Sequence, residues 1–347
     1  MITKIVDESS VFVQPEDSDD LLVLRRIIKN GDRITGDTTR VIKRDRDYSR
    51  PDRGERVHIR VALVAEKISL DGVLDRLRIG GTVSESNNES VPHGSHHSLV
   101  LKINCGITVS KKKWQTDEKK LLKSGGIRSG FILVAIDTGD CGIARLWGTH
   151  LEFMPNMYSG ASGKRYKTNF DIEKFFVQVM HAITSILQEG DSIIVFGPGE
   201  TRRRFANFAQ KNTVLQKHSI RIAEGIDSGG EDGIYIFTKS QAMREMISES
   251  SLAKASEIVD EVVLLASKKS SKFAMGLDET RRANQAGAVD SLVFSDKSIQ
   301  DDEQAVIDLL NEAESKGAKA YGVDSTTDIG LRVSGLGGVV ALLRYSM

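Results

Sequence analysis

The chain has 347 residues, 39% of them apolar and 28% charged, with 48 basic residues against 48 acidic ones. At this length a protein divides into two or three domains and buries roughly 70–75% of its unfolded surface, so it needs neither disulfides nor a metal for stability. Five prolines, two lone cysteines (Cys105 and Cys141), no apolar run near the ~18–20 residues of a membrane span, and a start lacking a basic, then apolar leader argue against disordered, disulfide-stapled, membrane and secreted classes. The expectation is a cytoplasmic protein with no membrane partner, a monomer when free.

Residues 1–127 read mostly as strands. Val11–Val13, Val57–Val64 and Ser98–Asn104 alternate or run apolar, with Gly, Asp and Asn turns between them. One helix is expected over 18–30, capped by Ser18, with Leu21, Leu24, Ile27 and Ile28 on one face and Gly31 after it. The composite is a small β-barrel-like domain. Residues 124–130 hold three glycines in seven positions and suit a linker.

The next segment, 131–248, alternates strands with helices. Strands are expected over 131–137, 142–146 and 192–197. Helices are expected over 171–188, where Ile172, Phe175, Phe176, Val179, Ile183 and Ile186 recur at helical spacing, and over 200–211. This pattern predicts a three-layer α/β domain. A helical, serine-rich connection over 242–256 leads to a third segment, 255–347. It reads as strand 262–266, helix 278–286, strand 291–294, helix 302–315 and strands 319–323 and 339–345, a compact α/β unit.

Charge is uneven along the chain. Residues 1–127 hold 23 basic and 19 acidic residues, 128–250 hold 14 and 14, and 251–347 hold 11 and 15. A basic front suits a polyanion and an acidic tail a protein partner. Between Arg40 and Arg60 stand eight basic residues (Arg40, Lys43, Arg44, Arg46, Arg50, Arg53, Arg56, Arg60) against four acidic ones, around Tyr48, Pro51 and Gly54. A loop of that composition can pair with phosphates and stack on a base. Further clusters are Lys111, Lys112, Lys113 with Lys119, Lys120 and Lys123; Lys164, Arg165 and Lys167; and Arg202–Arg204. Any one of them alone suits a solvated face.

Catalytic signals are sparse. The turn Gly197-Pro198-Gly199 joins a strand to a helix but lacks the Gly-Lys-Ser/Thr ending of a phosphate loop, and Glu200 would repel an anion there. Ser334-Gly-Leu-Gly-Gly338 precedes a β-rich run, not a helix, against a dinucleotide fingerprint. His93, His96, His97 and Cys105 match no zinc spacing, and neighbouring strand residues point to opposite faces. Glu16, Asp17, Asp19 and Asp20 could hold Mg²⁺ or Mn²⁺ for phosphodiester cleavage, although a helix start also accounts for them.

Four segments together resemble the Pelota family, the ribosome-rescue paralogues of archaeal and eukaryotic class-one release factors. They are Asp20–Ile34 with Thr38-Thr39-Arg40; Gly94–Leu101 with Val109–Trp114; Gly197–Phe205; and Gly287–Asp296 with Leu336–Tyr345. Leu22, Arg25 and Glu200 depart from the family pattern, where aromatics are common. The resemblance implies a multidomain α/β protein: an Sm-like β-barrel over 1–127, a central three-layer α/β domain over 131–248, and a C-terminal α/β/α domain over 255–347 like that of kink-turn-binding ribosomal proteins. It implies entry into the empty A site of stalled ribosomes, delivery by an elongation-factor-like GTPase, and subunit splitting with a recycling ATPase. The 44–56 stretch falls where the family carries its decoding-centre loop, and Lys164, Arg165 and Lys167 where it carries a ribosome-contacting patch.

Gly-Gly pairs begin at 80, 125, 229 and 337 and are followed by Thr, Ile, Glu and Val, so the Gly-Gly-Gln of release factors is absent from the sequence. The expectation is a factor without peptide release and without catalysis of its own, needing no cofactor to bind ribosomes. The alternative is a metal-dependent endoribonuclease acting on mRNA of stalled ribosomes through Glu16, Asp17, Asp19 and Asp20, with a divalent cation required only then.

Overall fold

A computed structural model describes residues 1–42, 55–71, 75–124, 130–160, 171–248, 250–325 and 327–347. The chain forms two compact units: Met1–Ile127 with Asp296–Ala318, and Arg128–Ser295 with Lys319–Met347.

In the first unit, β1 (Ile2–Ile5), β2 (Ser10–Gln14), α1 (Ser18–Ile27), β3 (Arg33–Ile42), β4 (Glu55–Asp71), β5 (Arg76–Ser86), β6 (His96–Lys102), β7 (Ile107–Ser110) and α2 (Thr116–Ser124) follow in order. The strands form one antiparallel sheet in the order β1-β2-β7-β3-β4-β5-β6. Its inner face is the alternate set that period-2 patterning requires, with Ile59, Val61 and Leu63 of β4 and Leu77 and Ile79 of β5 at most 2% exposed. Leu21, Leu24 and Ile27 of α1 are fully buried on that face, each contributing about 1.5–3 kcal/mol. Asp17, not Ser18, caps α1: its Oδ1 accepts from the Asp20 amide at 2.8 Å. The helix ends at Ile27, three residues short of the expected Asn30, because Ile28 turns extended (ψ 128°), leaving its side chain buried.

The second unit opens with β8 (Phe131–Ile136), β9 (Asp140–Trp147), β10 (His150–Phe153), β11 (Met157–Tyr158), α3 (Ile172–Ile186), β12 (Ser192–Phe196), α4 (Thr201–Ala209), β13 (Ile220–Ile222), α5 (Gly230–Lys239) and α6 (Gln241–Met246). Its sheet runs β10-β9-β8-β12-β13, parallel at β8/β12/β13 and antiparallel elsewhere, with β11 on β9. The chain continues through α7 (Ser251–Ser267), β14 (Phe273–Met275), α8 (Leu277–Gln285), β15 (Val289–Ser295), α9 (Asp296–Asp301), α10 (Glu303–Ser315), β16 (Lys319–Val323), α11 (Asp328–Gly335) and β17 (Val339–Leu343). β14, β17, β15 and β16 form a second sheet in that order. The architecture is thus multidomain α/β. The segments 131–248 and 255–347 share one apolar cluster running from Leu133 and Phe196 to Val259 and Val340, and 296–318 groups with the first unit.

The expected strand over 262–266 is corrected. Val262–Ala266 is the last third of α7, in which Ile258, Val259 and Val262 are buried while Val263 and Leu264 are 44% and 50% exposed. A one-sided stripe at spacing three to four is helical, and the β-branched run masked it. Helices α2, α5, α9 and α11 are likewise not predicted by the sequence pattern. Among the described residues, no helix is long and apolar enough to cross a membrane.

Candidate nucleic-acid interface

The basic stretch 40–60 is framed by the β3–β4 hairpin. Ten consecutive residue pairs, Arg33↔Val64 through Ile42↔Glu55, form an unbroken antiparallel ladder that ends where the arginine-rich segment begins. Lys43, Arg44, Arg46, Tyr48, Arg50 and Arg53 lie outside the described residues, as do Lys164, Arg165 and Lys167. Arg40 and Arg56 are on opposite faces of the hairpin. Arg56 is exposed on the outer face with His58 and Arg60, while Val57, Ile59 and Val61 turn inward. Arg60 lies 3.8 Å from Asp37 across the ladder, an exposed pair worth little energetically. Half-buried Arg40 donates to Ser95 Oγ at 3.1 Å, and His97 lies 3.2 Å from Thr38 Oγ1 on that face. Burial and the Arg40 charge both hold the His97 pKa below the ordinary imidazole value. His96, its neighbour, faces solvent toward Glu66.

The lysine run divides. Lys112 and Lys113 are exposed. Lys111, expected among the phosphate-binding cations, is instead buried: its Nζ lies 2.7 Å from Asp32, 3.2 Å from Glu118 and 2.8 Å from the Ile27 carbonyl, and 5.4 Å from the Trp114 ring centre. The physical reason is the strand's alternation at the end of β7, which turns Lys111 inward onto the open carbonyl end of α1. It is withdrawn from the candidate interface.

At the Gly197-Pro198-Gly199 turn, Gly197 has φ 134° and an added Cβ would lie 2.2 Å from the Ile136 carbonyl oxygen. Only glycine lets β12 turn away so close to β8. Arg202 donates to the Gly197 carbonyl at 2.6 Å and pairs with Glu224, and Arg203 lies 3.2 Å from Glu224 and 3.3 Å from Glu200. These guanidinium contacts hold the Glu224 carboxyl below its usual range. Two of the three arginines in this cluster are therefore neutralised locally, and the turn is braced rather than open to an anion.

The acidic cluster is spent on α1. Asp20 is fully buried with Oδ2 2.6 Å from the Met1 amine, Glu16 Oε2 is also 2.6 Å from that amine, and Asp17 is the helix cap. Burial works against the Met1 ammonium, yet the two carboxylates outweigh it and raise its pKa. Asp19 occupies the first turn, where the dipole favours it. Among the described residues no group of three or more His, Cys, Asp or Glu side chains is arranged to hold a metal. The helix start therefore accounts for the carboxylates at 16–20, and the alternative of a metal-binding set there finds no support among the described residues.

Two contributors escaped the sequence pattern. His58 stands between Arg56 and Arg60 on the outer face of β4, and a strict count of every second residue along that strand finds it. Arg25 and Arg26 in the last turn of α1 form the other, at the edge of a groove shared with Lys67 and Ile307.

Residues 2–125 match the Pelota N-terminal domain family, and residues 252–347 match domain 3 of the eRF1 family. A curated pelota homologue of Nitrosopumilus maritimus is 70% identical over 347 residues, covering 100% of this chain and 99% of its own. One of Cenarchaeum symbiosum is 52% identical, covering 99% of each. The crystal structure of the Thermoplasma acidophilum Pelota protein is 24% identical and superposes with a TM-score of 0.63 over 100% of both chains, which fixes the fold. With relatives of this identity along its whole length, the chain belongs to the Pelota family.

Proposed function

We propose that this chain is a ribosome-rescue and mRNA-surveillance factor. It enters the vacant A site of stalled ribosomes with an elongation-factor-like GTPase and, with a recycling ATPase, promotes subunit dissociation without releasing the peptide. It acts in the cytoplasm as a monomer, by shape and charge, and requires no cofactor for binding. The reading is carried by the ten-pair β3–β4 ladder, which ends at a segment rich in arginine and lysine within the residues that match the Pelota N-terminal family. A long hairpin of this kind is a rigid support for phosphate-directed side chains. The absence of Gly-Gly-Gln from the sequence supports rescue without hydrolysis of peptidyl-tRNA. The endoribonuclease alternative is not carried further, since the carboxylates it needs are engaged at the start of α1.

The test is co-sedimentation with ribosomes stalled on truncated mRNA, over a salt series, followed by addition of the GTPase and ATPase. Binding should fall steeply with salt, by roughly 0.7–0.9 in log–log slope for each phosphate neutralised. R50E/R53E should weaken binding with the fold intact. Salt-independent binding, or an R50E/R53E variant that sediments like the wild type, would refute the reading.

A further inference from the structure

Within the first unit, α10 meets α1 through side-chain charges. Arg25 Nε donates to Glu303, Arg25 Nη2 donates to Gln304 Oε1 at 3.1 Å, and Arg26 Nε donates to Asn311 Oδ1 at 2.8 Å. Arg26 also grips Glu314 through two parallel hydrogen bonds of 3.1 and 2.6 Å. The second oxygen of Glu303 accepts from the Leu70 amide at 2.9 Å. Beside these polar contacts Ile28 and Ile307 are buried, at 1% and 3% exposure. A groove of about 410 Å³ remains there, floored by Ile28, Ile68 and Ile307 and rimmed by Lys29 and Lys67. No residue of α10 belongs to the apolar cluster that holds the seven-stranded sheet together.

We infer that the α1 end of this groove is a second phosphate-binding site for an RNA backbone, closed in this structure by the carboxylates of Glu303 and Glu314. The fork of two parallel hydrogen bonds between Arg26 and Glu314 is the geometry in which a guanidinium also takes a phosphate. The two carboxylates stand where phosphate oxygens would sit. Arg25, Arg26 and Lys67 give three cations around one groove, with Lys29 beside them but paired to Glu118 at 2.8 Å, against Glu66 and Asp308 on its rim. Ion pairs of this kind gain little net free energy, because each charge must shed water to make them. A polyanion therefore competes with Glu303 and Glu314 for the arginines. The two carboxylates act as a detachable cover over a site that RNA opens, while α10 stays anchored by its own buried stripe of Val306, Leu309, Leu310 and Ala313.

The inference rests on the ribosome-binding reading, but its test does not use the ribosome. The full-length E303A/E314A variant is titrated with a fluorescein-labelled RNA duplex between 50 and 200 mM salt. D301A/E312A, which removes the same charge elsewhere on the segment, is the control, and circular dichroism reports the fold. Two uncovered arginines should steepen the log–log salt slope by roughly 1.4–1.8 relative to wild type, so that the affinity gain shrinks about tenfold across that range. Adding R25Q/R26Q to E303A/E314A should abolish the gain. Equal slopes for E303A/E314A and D301A/E312A, or a gain that persists without the arginines, would overturn the inference. Should E303A/E314A lose helix, phenylglyoxal labelling of Arg25 and Arg26 in the wild type decides: labelling that rises with salt supports a detachable cover, and constant labelling refutes it. Failure of the rescue reading would appear instead as wild-type protein that does not sediment with ribosomes.

Discussion

Lys111 Nζ lies 2.7 Å from Asp32 Oδ2, joining the end of β7 to the turn that begins β3, with both side chains withdrawn from water. The ammonium has three protons, and three acceptors meet it: Asp32, Glu118 and the Ile27 carbonyl left open where α1 stops. One side chain thus ties two helices and two strands. The next two residues of the same run, Lys112 and Lys113, face solvent.

Replacing Lys111 by Met keeps the volume and removes the charge. Glu118 is then left as a buried carboxylate and Asp32 as a half-buried one, and breaking a buried pair from one side costs about 3–5 kcal/mol. Glu118 retains Lys29 at 2.8 Å, so the lower end, about 3 kcal/mol, is expected in urea unfolding. K112E/K113E should leave stability within ~0.5 kcal/mol but weaken RNA binding. A stable K111M protein would contradict the placement of Lys111.

Glu118 also sets a pH dependence. Burial pushes its carboxyl upward, but hydrogen bonds from Lys29, the Gln115 amide and Lys111 outweigh that and hold it below the ordinary glutamate value of 4.5. In the window between the folded value and 4.5 the unfolded chain binds more protons, so stability rises with pH there. The contribution is complete above pH 4.5 and is lost as pH falls through the folded value. E118Q should flatten that part of an acid-unfolding curve. An unchanged curve would deny Glu118 its part.

Much of this architecture was legible in the sequence where pattern and burial agree. The face of α1, the strand 131–136 and the helix 172–186 follow from apolar residues at the right period, and the structure buries most of those residues, leaving Phe131, Ile172 and Ile186 partly buried at the element ends. Period alone failed at Val262–Ala266, where five apolar residues in a row fit a strand or a helix, and only the exposure of Val263 and Leu264 separates the two. The candidate interface was less legible. A run of three lysines carries no sign of which one turns inward, because that depends on Asp32 and Glu118 arriving from other elements. Arg25 and Arg26 read as ordinary helix-end cations, since their partners Glu303 and Glu314 lie nearly three hundred residues away.

The Gly197-Pro198-Gly199 turn separates two roles of glycine. At Gly197 a methyl group would strike the Ile136 carbonyl at 2.2 Å, while Gly199, at φ 60°, has open space around the same methyl. G197A should therefore cost about 3 kcal/mol or more, through a backbone clash that cannot relax without parting β8 from β12. G199A should cost only about 1 kcal/mol, the penalty of a left-handed residue bearing a side chain. Thermal unfolding of the two variants would check this, and equal losses would contradict the geometry.

Arg40 and His97 offer a local reporter of RNA at the hairpin. Burial first, and the neighbouring guanidinium second, keep the His97 imidazole below the ordinary value of 6.5, so the ring is neutral at pH 7. Since the unfolded ring binds its proton at higher pH, the folded state loses stability as pH drops from 6.5 toward the folded value. An NMR titration should place the His97 midpoint below 6.5, and R40M should raise it without restoring it fully, because burial remains. If Arg40 takes a phosphate, the bound anion cancels its charge, and saturating RNA duplex should move the wild-type midpoint in the same direction as R40M. RNA should then leave the R40M midpoint nearly where it was. A wild-type midpoint that RNA does not move would remove Arg40 from the interface and leave the outer face of Arg56, His58 and Arg60 as its described part.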